Sequence, residues 1–276
     1  MENETPAATP VNDAGHSSQR LVFADVAIDN LSFAEAVSGL QDSILQGRRG
    51  YVVTPNAAHI CMLRRDAELK GIYEKASFVL TDGMSIVFAS RLLGRPIKER
   101  CCGADLFTSI CAMLAALNKR IFLLGGQDGS EKIAARKLRH EYPGLVVNSY
   151  CPGFGFEHDP QETARIIDRI NRAGADILFV FVGTPKSEKW IYRNFSRLHI
   201  KMAFSLGQTL NFYSGMKKRA PRWMQRAGFE WLFRLGQEPK RLWKRYLFGN
   251  TWFVILVVRE YFRTRPMRTG NESRSR

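Results

Sequence analysis

The sequence predicts an α/β fold, a Rossmann-like and mostly parallel sheet covered by helices, with a C-terminal basic helical appendage. Two observations predict the sheet. Short apolar runs alternate with helix-length segments between residues 120 and 204, and several of these runs end in glycine or small polar residues. The third observation predicts the appendage, because strand-like runs stop after residue 209 while basic and aromatic residues become dense.

Length and charge limit the class of protein. The chain has 276 residues, 45% of them hydrophobic, which suffices for one large α/β domain with an extension. Its net charge of +15 is uneven, since residues 201–276 hold 17 Lys and Arg against 4 Asp and Glu, and residues 1–200 hold 24 against 22. The basic C-terminal quarter predicts an anionic partner, which is a membrane surface, a phosphorylated substrate or a nucleic acid.

The cysteines and the chain ends bear on location. Five cysteines, an odd number with no CxxC pair, argue against a disulfide framework or a zinc site and favour a reducing compartment. Residues 1–19 lack the basic and apolar regions of a signal peptide, so we predict disordered tails at 1–19 and 265–276. The longest late apolar run, Trp252–Val258, has 7 residues where a membrane span needs about 20, so we predict no span.

The bounds of the predicted helices and strands follow from capping residues, prolines and hydrophobic periodicity. Ser32 and Glu35 form a capping box for the first helix, and Pro221 and Pro239 suit helix starts. The predicted strands are 21–23 (at an edge), 51–53, 78–80, 120–124, 145–149, 175–182 and 201–204. The predicted helices are 32–46, one from 56, 66–75, 83–93, 106–117, 130–140, 160–173, 186–198, 221–236, one from 239, and 251–263. We therefore divide the chain into a core at 20–209 and an appendage at 210–264.

Polar side chains follow two apolar runs of the first half. Thr54 and Asn56 come after one strand, and Asp82 comes after the next. In open α/β sheets, ligands bind beyond the carboxyl ends of the strands, so these three side chains are expected in one crevice. The alternative is that Asn56 and Asp82 only cap the helices that follow them.

Two glycine turns are candidates for binding phosphate. Gly125 and Gly126 end a strand before a helix, where free backbone N–H groups can meet an anion. A tight turn capped by Asp128 or Ser130 explains this segment equally well, since neither a GxGxxG nor a Walker pattern occurs. Gly183 opens a second such turn.

The helix after Gly183 begins with two polar candidates. Ser187 and Glu188 are expected in its first turn, facing outward or toward the crevice. A capped surface helix is the alternative explanation. The five histidines are scattered, with no HExxH motif and no carboxylate at ligand spacing, and no DxD motif occurs, so no metal and no cofactor are predicted.

The appendage interleaves basic and aromatic residues. Between Met216 and Tyr246, ten basic residues stand against two acidic ones, and Arg222 and Arg226 share one helix face behind Arg219. Guanidinium groups bind phosphates in bidentate fashion, and mixed basic and aromatic surfaces suit a bilayer interface or a nucleic acid.

Several motifs together resemble the WecG/TagA/CpsF family of bacterial glycosyltransferases. They are TPN, TDGMSIV, FLLGG, GADILFVFVGTPKSEKWI and GMKKRAPRWMQRAGFEWLFRLGQEPKRLWKRYL, spread over about residues 21–250. The resemblance implies a metal-independent, inverting enzyme with a Rossmann-like core. Such an enzyme moves a sugar (hexose, N-acetylmannosamine or uronic acid type) from UDP to a polyprenyl-diphosphate-linked saccharide for exopolysaccharide or other cell-surface polysaccharide.

The resemblance also implies roles and partners. Asp82 is similar to the proposed general base of the family, Thr54 and Asn56 to its polar pair, and Arg100 to an arginine that reaches a phosphate. The three appendage arginines, Arg219, Arg222 and Arg226, fall in the part expected to close the site at an anionic membrane surface. The implied location is the inner face of the cytoplasmic membrane, with no nucleic acid partner and with self-association left open.

Two positions depart from the family pattern. Ser187 stands where the family often has Gln, and Asn211 where it often has Asp, so Asn211 cannot act as a base. The alternative from another class is a non-enzymatic α/β module whose basic C-terminal helices bind anionic lipid or nucleic acid. A dehydrogenase or epimerase is disfavoured by the missing GxGxxG motif.

Overall fold

The computed structural model describes residues 20–264, apart from several side chains within 241–264. The strands, in chain order, are β1 Arg20–Phe23, β2 Val26–Asp29, β3 Gly50–Val53, β4 Phe78–Val79, β5 Arg120–Gly125, β6 Val146–Tyr150, β7 Ile177–Phe181 and β8 Met202–Ser205. The helices are α1 Phe33–Leu45, α2 Ala57–Leu63, α3 Ala67–Glu74, α4 Met84–Leu92, α5 Gly103–Ala116, α6 Ser130–Glu141, α7 Pro160–Arg172, α8 Lys186–Asn194, α9 Thr209–Tyr213, α10 Arg222–Arg226, α11 Glu230–Gln237 and α12 Pro239–Thr264.

The main sheet confirms the predicted architecture. Its six strands are all parallel and lie in the order β4-β3-β8-β7-β5-β6. From β3 the chain moves outward to β4, and from β5 it moves outward to β6 at the opposite edge. The carboxyl ends between these two diverging halves frame a crevice, which is where open α/β sheets bind ligands.

Helices cover both faces of the sheet because its strands are apolar on both sides. In β3, Val52 packs with the cluster that includes α1, α5 and α6, whereas Tyr51 and Val53 pack with α2, α3, α7 and α8 on the other face. Successive strand residues point to opposite faces, so a fully apolar strand needs a helical layer on each side.

The N-terminal strand forms, but outside the main sheet. β1 pairs only with β2, in a separate antiparallel hairpin. β1 is an edge strand, as predicted, but its partner β2 was not predicted, because the hairpin turn, Ala24 and Asp25 at φ of 48° and 64°, carries no glycine or asparagine signal. Asp29 ties the hairpin to the sheet by accepting a hydrogen bond from the Val79 N–H at 2.7 Å.

The C-terminal helices also differ from the prediction. The helix expected at 221–236 is two helices, because Gly228 takes a φ of 80° between α10 and α11, and Pro221 is the N-cap of α10. The two helices expected after Pro239 are one, α12, of 26 residues. Glycine within a helix costs only about 1 kcal/mol, and Phe253 and Val257 of α12 offset this by packing into the core.

The remaining predictions concern the two terminal tails and the lack of a membrane-spanning helix. The predicted tails at 1–19 and 265–276 lie outside the described residues. Of the helices within 20–264, none combines the length and the apolar character that crossing a bilayer requires.

Candidate functional site

A cleft of about 1290 Å³ runs along the carboxyl edge of the main sheet, and α10, α11 and α12 supply its opposite wall. Thr54, Asn56 and Asp82 all line it. The structure thus places the three strand-end side chains along one cleft, as the strand pattern predicts. Arg100, Gly125, Gly126 and Gly183 line the same cleft, whereas the other predicted site residues do not.

Asp82 follows β4, facing the appendage. Its Oδ1 accepts a hydrogen bond at 3.2 Å from the N–H of Gly103, the first residue of α5. Burial raises the pKa of Asp82 and the Glu230 carboxylate raises it further, while Arg234 opposes both. Asp82 does not cap the helix that follows it, since the N-cap of α4 is Gly83 without a side-chain hydrogen bond. A cleft carboxylate with a raised pKa is suited to accept a proton.

Thr54 and Asn56 follow β3 at the same sheet edge. The Asn56 Oδ1 accepts hydrogen bonds from the N–H groups of Ala58 and His59 at 3.0 and 3.3 Å, so Asn56 caps α2 and lines the cleft at once. The Thr54 hydroxyl is nearly buried and donates to the Ser205 carbonyl at 3.3 Å. These contacts hold both side chains in fixed orientations.

The glycine turns differ in what they offer a phosphate. The Gly126 N–H donates to the Phe181 carbonyl at 3.2 Å, and an added Cβ on Gly126 would lie 2.3 Å from the Ser130 Oγ. The turn at Gly125 and Gly126 lines the cleft, but its Cβ side is packed against neighbouring side chains. Gly183 has a φ of 85°, faces open space, and its N–H bonds to no other described residue. Gly183 is thus the glycine open to a ligand.

The predicted orientation of Ser187 and Glu188, outward or toward the crevice, differs from the one in the structure. They are 0% and 1% exposed and lie on the buried face of α8 with Trp190 and Ile191, so they are neither on a surface helix face nor on the cleft. The Glu188 Oε1 accepts a hydrogen bond from the Thr184 hydroxyl at 2.6 Å. Because Thr184 lines the cleft, Glu188 supports the turn from below.

Arg100 joins the core to the appendage. Its Nη1 lies 3.4 Å from the Glu230 Oε2, and its Nη2 lies 3.4 Å from the Gln225 Oε1. Glu230 also pairs with Arg234 within α11. The side chains of Arg100 and Glu230 are only 14% and 15% exposed. A carboxylate of the appendage therefore occupies the position where an anionic ligand would meet Arg100.

The three appendage arginines do not converge on the cleft. Arg219 binds both carboxylate oxygens of Asp105 at 2.6 and 3.0 Å. Burial raises the pKa of Asp105, but these hydrogen bonds outweigh it and lower the pKa overall. Arg222 and Arg226 are exposed on α10, outside the cleft. Arg219 thus anchors the appendage to α5, and the other two face solvent.

Sequence reasoning missed several lining residues. His59 lines the cleft nearly buried, and the fully exposed Phe154 stands at the rim between two glycines. Arg234 could have been found from its i, i+4 spacing to Glu230, which predicts an ion pair on one helix face. Asn211 is buried near the cleft, and its Oδ1 accepts a hydrogen bond from the Gln127 N–H at 2.9 Å.

Over the part of the chain that the structure describes, no three His, Cys, Asp or Glu side chains are grouped closely enough to hold a metal ion.

Comparison with known proteins places this arrangement among enzymes. The model of the glycosyl transferase WecG/TagA/CpsF family matches residues 21–267. Three relatives are named N-acetylglucosaminyldiphosphoundecaprenol N-acetyl-beta-D-mannosaminyltransferase. The one from Bacillus subtilis (strain 168) is 34% identical over 71% of this chain and 74% of its own length. The one from Bacillus spizizenii is 28% identical over 88% and 95%, and the one from Staphylococcus aureus (strain MRSA252) is 28% identical over 70% and 74%.

Proposed function

We propose, since this chain belongs to the WecG/TagA/CpsF family of glycosyl transferases, that it transfers a sugar from a UDP-sugar to a polyprenyl-diphosphate-linked saccharide of the cell envelope. Membership makes the protein a glycosyltransferase, so the non-enzymatic alternative is set aside. The names of its relatives favour N-acetylmannosamine over a plain hexose or a uronic acid as the transferred sugar. The half-buried Asp82, which lines the cleft near Arg100, is the observation that carries the proposal.

The donor is proposed to lie along the sheet edge. Gly183, after β7, lines the cleft, and its N–H, which bonds to no other described residue, is available for the diphosphate. Asp82 follows β4, three strands away in the sheet, or about 14 Å at the usual spacing between strands. Thr54 and Asn56 lie between them, after β3. The proposal is that the nucleotide lies near β7, the transferred sugar over β8 and β3, and the acceptor hydroxyl at Asp82.

The proposed reaction is a single displacement with inversion at the anomeric carbon. The acceptor hydroxyl oxygen forms the new bond to that carbon, its proton passes to the Asp82 carboxylate, and the bond from the carbon to the diphosphate oxygen breaks. The leaving UDP carries the electron pair of that bond. Asp82 must be ionised for this step, and its raised pKa makes the ionised carboxylate a better proton acceptor.

Backbone and side chains are proposed to bind the diphosphates of the two substrates. The Gly183 N–H is the candidate for the leaving diphosphate near β7, and removing one such preorganised group typically costs about 10²–10³ in rate. Arg100 and Arg234, beside Asp82, are the candidates for the diphosphate of the acceptor. No metal or cofactor enters the proposal. Arg100 and Arg234 now contact Glu230, so a bound diphosphate would have to compete with that carboxylate.

The appendage is proposed to meet the anionic inner face of the cytoplasmic membrane. Trp223, Phe229 and Leu232 are exposed there, near the exposed Arg222 and Arg226. Apolar side chains that enter the interface beside basic side chains are typical of proteins that lie on a bilayer. Contact between appendages of two copies is a further proposal, whereas binding of nucleic acid is not proposed.

The test is UDP release from a panel of UDP-sugars that begins with UDP-N-acetylmannosamine. A short-chain polyprenyl-diphosphate N-acetylglucosamine serves as acceptor, in detergent with EDTA. We expect release with one donor, and a loss of at least about 10³ in rate for Asp82→Asn, since it removes the general base. Asp128→Asn is the matched control, because Asp128 lines the same cleft but is exposed. Equal losses in both variants, or activity that needs added metal, would contradict the proposal.

A further inference from the structure

A short chain of hydrogen bonds runs under the cleft floor from Asn56 into the core. The Asn56 Nδ2 lies 3.4 Å from the His59 Nε2, and the His59 Nδ1 lies 3.2 Å from the Tyr73 hydroxyl. His59 and Tyr73 are 8% and 3% exposed. These hydrogen bonds join the start of α2 to α3, and Asn56, at the outer end of the series, reaches the cleft.

The donor and the acceptor of each of these hydrogen bonds can be assigned. The Asn56 oxygen faces two backbone N–H groups of α2, so its NH₂ group faces His59. An amide NH₂ can only donate, so the His59 Nε2 accepts and its ring proton sits on Nδ1. That Nδ1–H donates to the Tyr73 oxygen. Burial and the nearby Glu188 carboxylate raise the pKa of Tyr73, so its hydroxyl keeps its proton.

One N–H of Asn56 remains for a ligand. His59 takes the first, and the second is bonded to no other described residue. Asn56 also stands directly beside the segment that carries the general base. The Asp82 N–H donates to the Pro55 carbonyl at 2.9 Å, and a Cβ added to Gly83 would lie 3.2 Å from the Asn56 Cβ.

We propose that His59 is a positioning residue, which accepts one N–H of Asn56 so that the other N–H points at the acceptor hydroxyl held beside Asp82. The inference rests on the proposed function, since it names a role in that transfer. A hydroxyl that gives its proton to Asp82 still has a lone pair that can accept from Asn56. Fixing this hydroxyl fixes the angle of attack, and a misplacement of about 1 Å can cost about 10² in rate.

Three variants separate positioning from packing. His59→Gln keeps an oxygen acceptor near the place of Nε2, whereas His59→Phe keeps the ring and removes the acceptor. Tyr73→Phe removes the partner of Nδ1. We expect kcat to fall about 10- to 100-fold in His59→Phe and less in Tyr73→Phe, with most of the rate restored in His59→Gln. The affinity for UDP and the KM for the donor should stay unchanged in all three variants.

Nitrogen-15 NMR of the wild-type imidazole gives a test that needs no activity. We expect the tautomer with its proton on Nδ1, and the other tautomer would overturn the proposal even in an active enzyme. An inactive wild type with the expected tautomer would refute the proposed function, and with it the positioning role of His59, while the hydrogen bonds from Asn56 to Tyr73 would stand. Equal loss of rate in His59→Gln and His59→Phe, matched by equal loss of melting temperature, would reduce His59 to a packing residue and overturn the inference.

Discussion

Asp82 and its neighbours illustrate how a single side chain acquires chemistry from its surroundings. The residue type and its place after a strand are local features, but the pKa depends on burial and on Glu230, which lies 148 positions later in the chain. Glu230 in turn is held by Arg100 and Arg234. The candidate base is therefore tuned by the appendage.

The pH dependence of transfer tests this tuning. Because the pKa of Asp82 is raised, the acidic limb of kcat/KM should lie above the ordinary aspartate value of about 4. Glu230→Gln removes a negative charge that favours protonation and releases two guanidinium groups that favour ionisation. Both effects lower the pKa, so the limb should move toward lower pH. The measurement is the kcat/KM profile from pH 4 to 8.

A matched control addresses the general effect of removing a cleft carboxylate. Glu238→Gln makes the same change in charge at another lining residue, one that pairs with Lys217. Glu238 is not among the causes of the Asp82 pKa shift, so its variant should leave the limb in place. An equal shift in both variants would mean that net charge, and not Glu230 in particular, sets the pKa.

At the scale of elements, the two glycine turns at the strand ends differ in how closely other side chains pack against them. The turn after β5 carries Gly125 and Gly126 and is packed against neighbouring side chains, whereas the turn after β7 carries Gly183 and opens to the cleft. Both turns follow apolar strands and precede helices, so their local sequences look alike. Their different roles follow from what lies beside them, since Ser130 and Leu210 crowd only Gly126.

Alanine at the two turns should separate backbone strain from packing. Both glycines have positive φ, which costs a non-glycine residue about 1–2 kcal/mol. Gly126→Ala also drives its Cβ to within 2.9 Å of the Leu210 Cδ2, and overpacking adds about 1–3 kcal/mol. Gly183→Ala adds no contact. Denaturant unfolding should therefore show the larger loss in free energy of unfolding for Gly126→Ala, and equal losses would contradict the packing found here.

For the whole molecule, the appendage packs against the core on one side and exposes aromatic and basic side chains on the other. Helix α12 packs against α2 through Phe253 and Val257, and Arg219 pins the chain to α5 through Asp105. The same segment exposes Trp223, and Trp252 lies partly exposed over Arg65. One face of the appendage thus completes the cleft wall while the other presents aromatic side chains to solvent.

Vesicle binding tests the membrane role. We expect the full chain to bind vesicles that contain phosphatidylglycerol, and to bind phosphatidylcholine vesicles much less. Each basic residue near an anionic surface contributes about 1 kcal/mol, so the double variant Arg222→Glu with Arg226→Glu should bind at least about tenfold more weakly. Flotation or co-sedimentation at several salt concentrations gives the measurement, and salt should weaken binding.

The control reverses two charges at the same spacing on the core. Lys132 and Arg136 are exposed on α6, four residues apart, and the double variant Lys132→Glu with Arg136→Glu should bind vesicles nearly as the wild type does. Equal loss in both double variants would assign the binding to net charge. Unchanged binding in the α10 variant would remove α10 from the interface.

The sequence by itself determined the local features of this protein. Apolar runs, the Ser32 capping box and the glycine turns predict a parallel α/β sheet, because hydrophobic periodicity and capping act over a few residues. The strand-end rule places Thr54, Asn56 and Asp82 at one edge. The local sequence did not indicate the hairpin partner of β1, because no turn signal marks it. Nor did it indicate the continuity of α12, where packing carries the helix through Gly249.

Only the tertiary structure decided which side chains meet. Ser187 and Glu188 are polar and begin a helix, yet the docking of α8 turns them into the core. Arg219 binds Asp105 and leaves the cleft to Arg100 and Arg234. No spacing along the chain could indicate the pairing of Arg219 with Asp105. His59 gained its importance from Asn56 and Tyr73, which converge on it only after α2 and α3 pack. Burial and charge contact depend on distance in space, and that distance is fixed by packing between segments far apart in sequence.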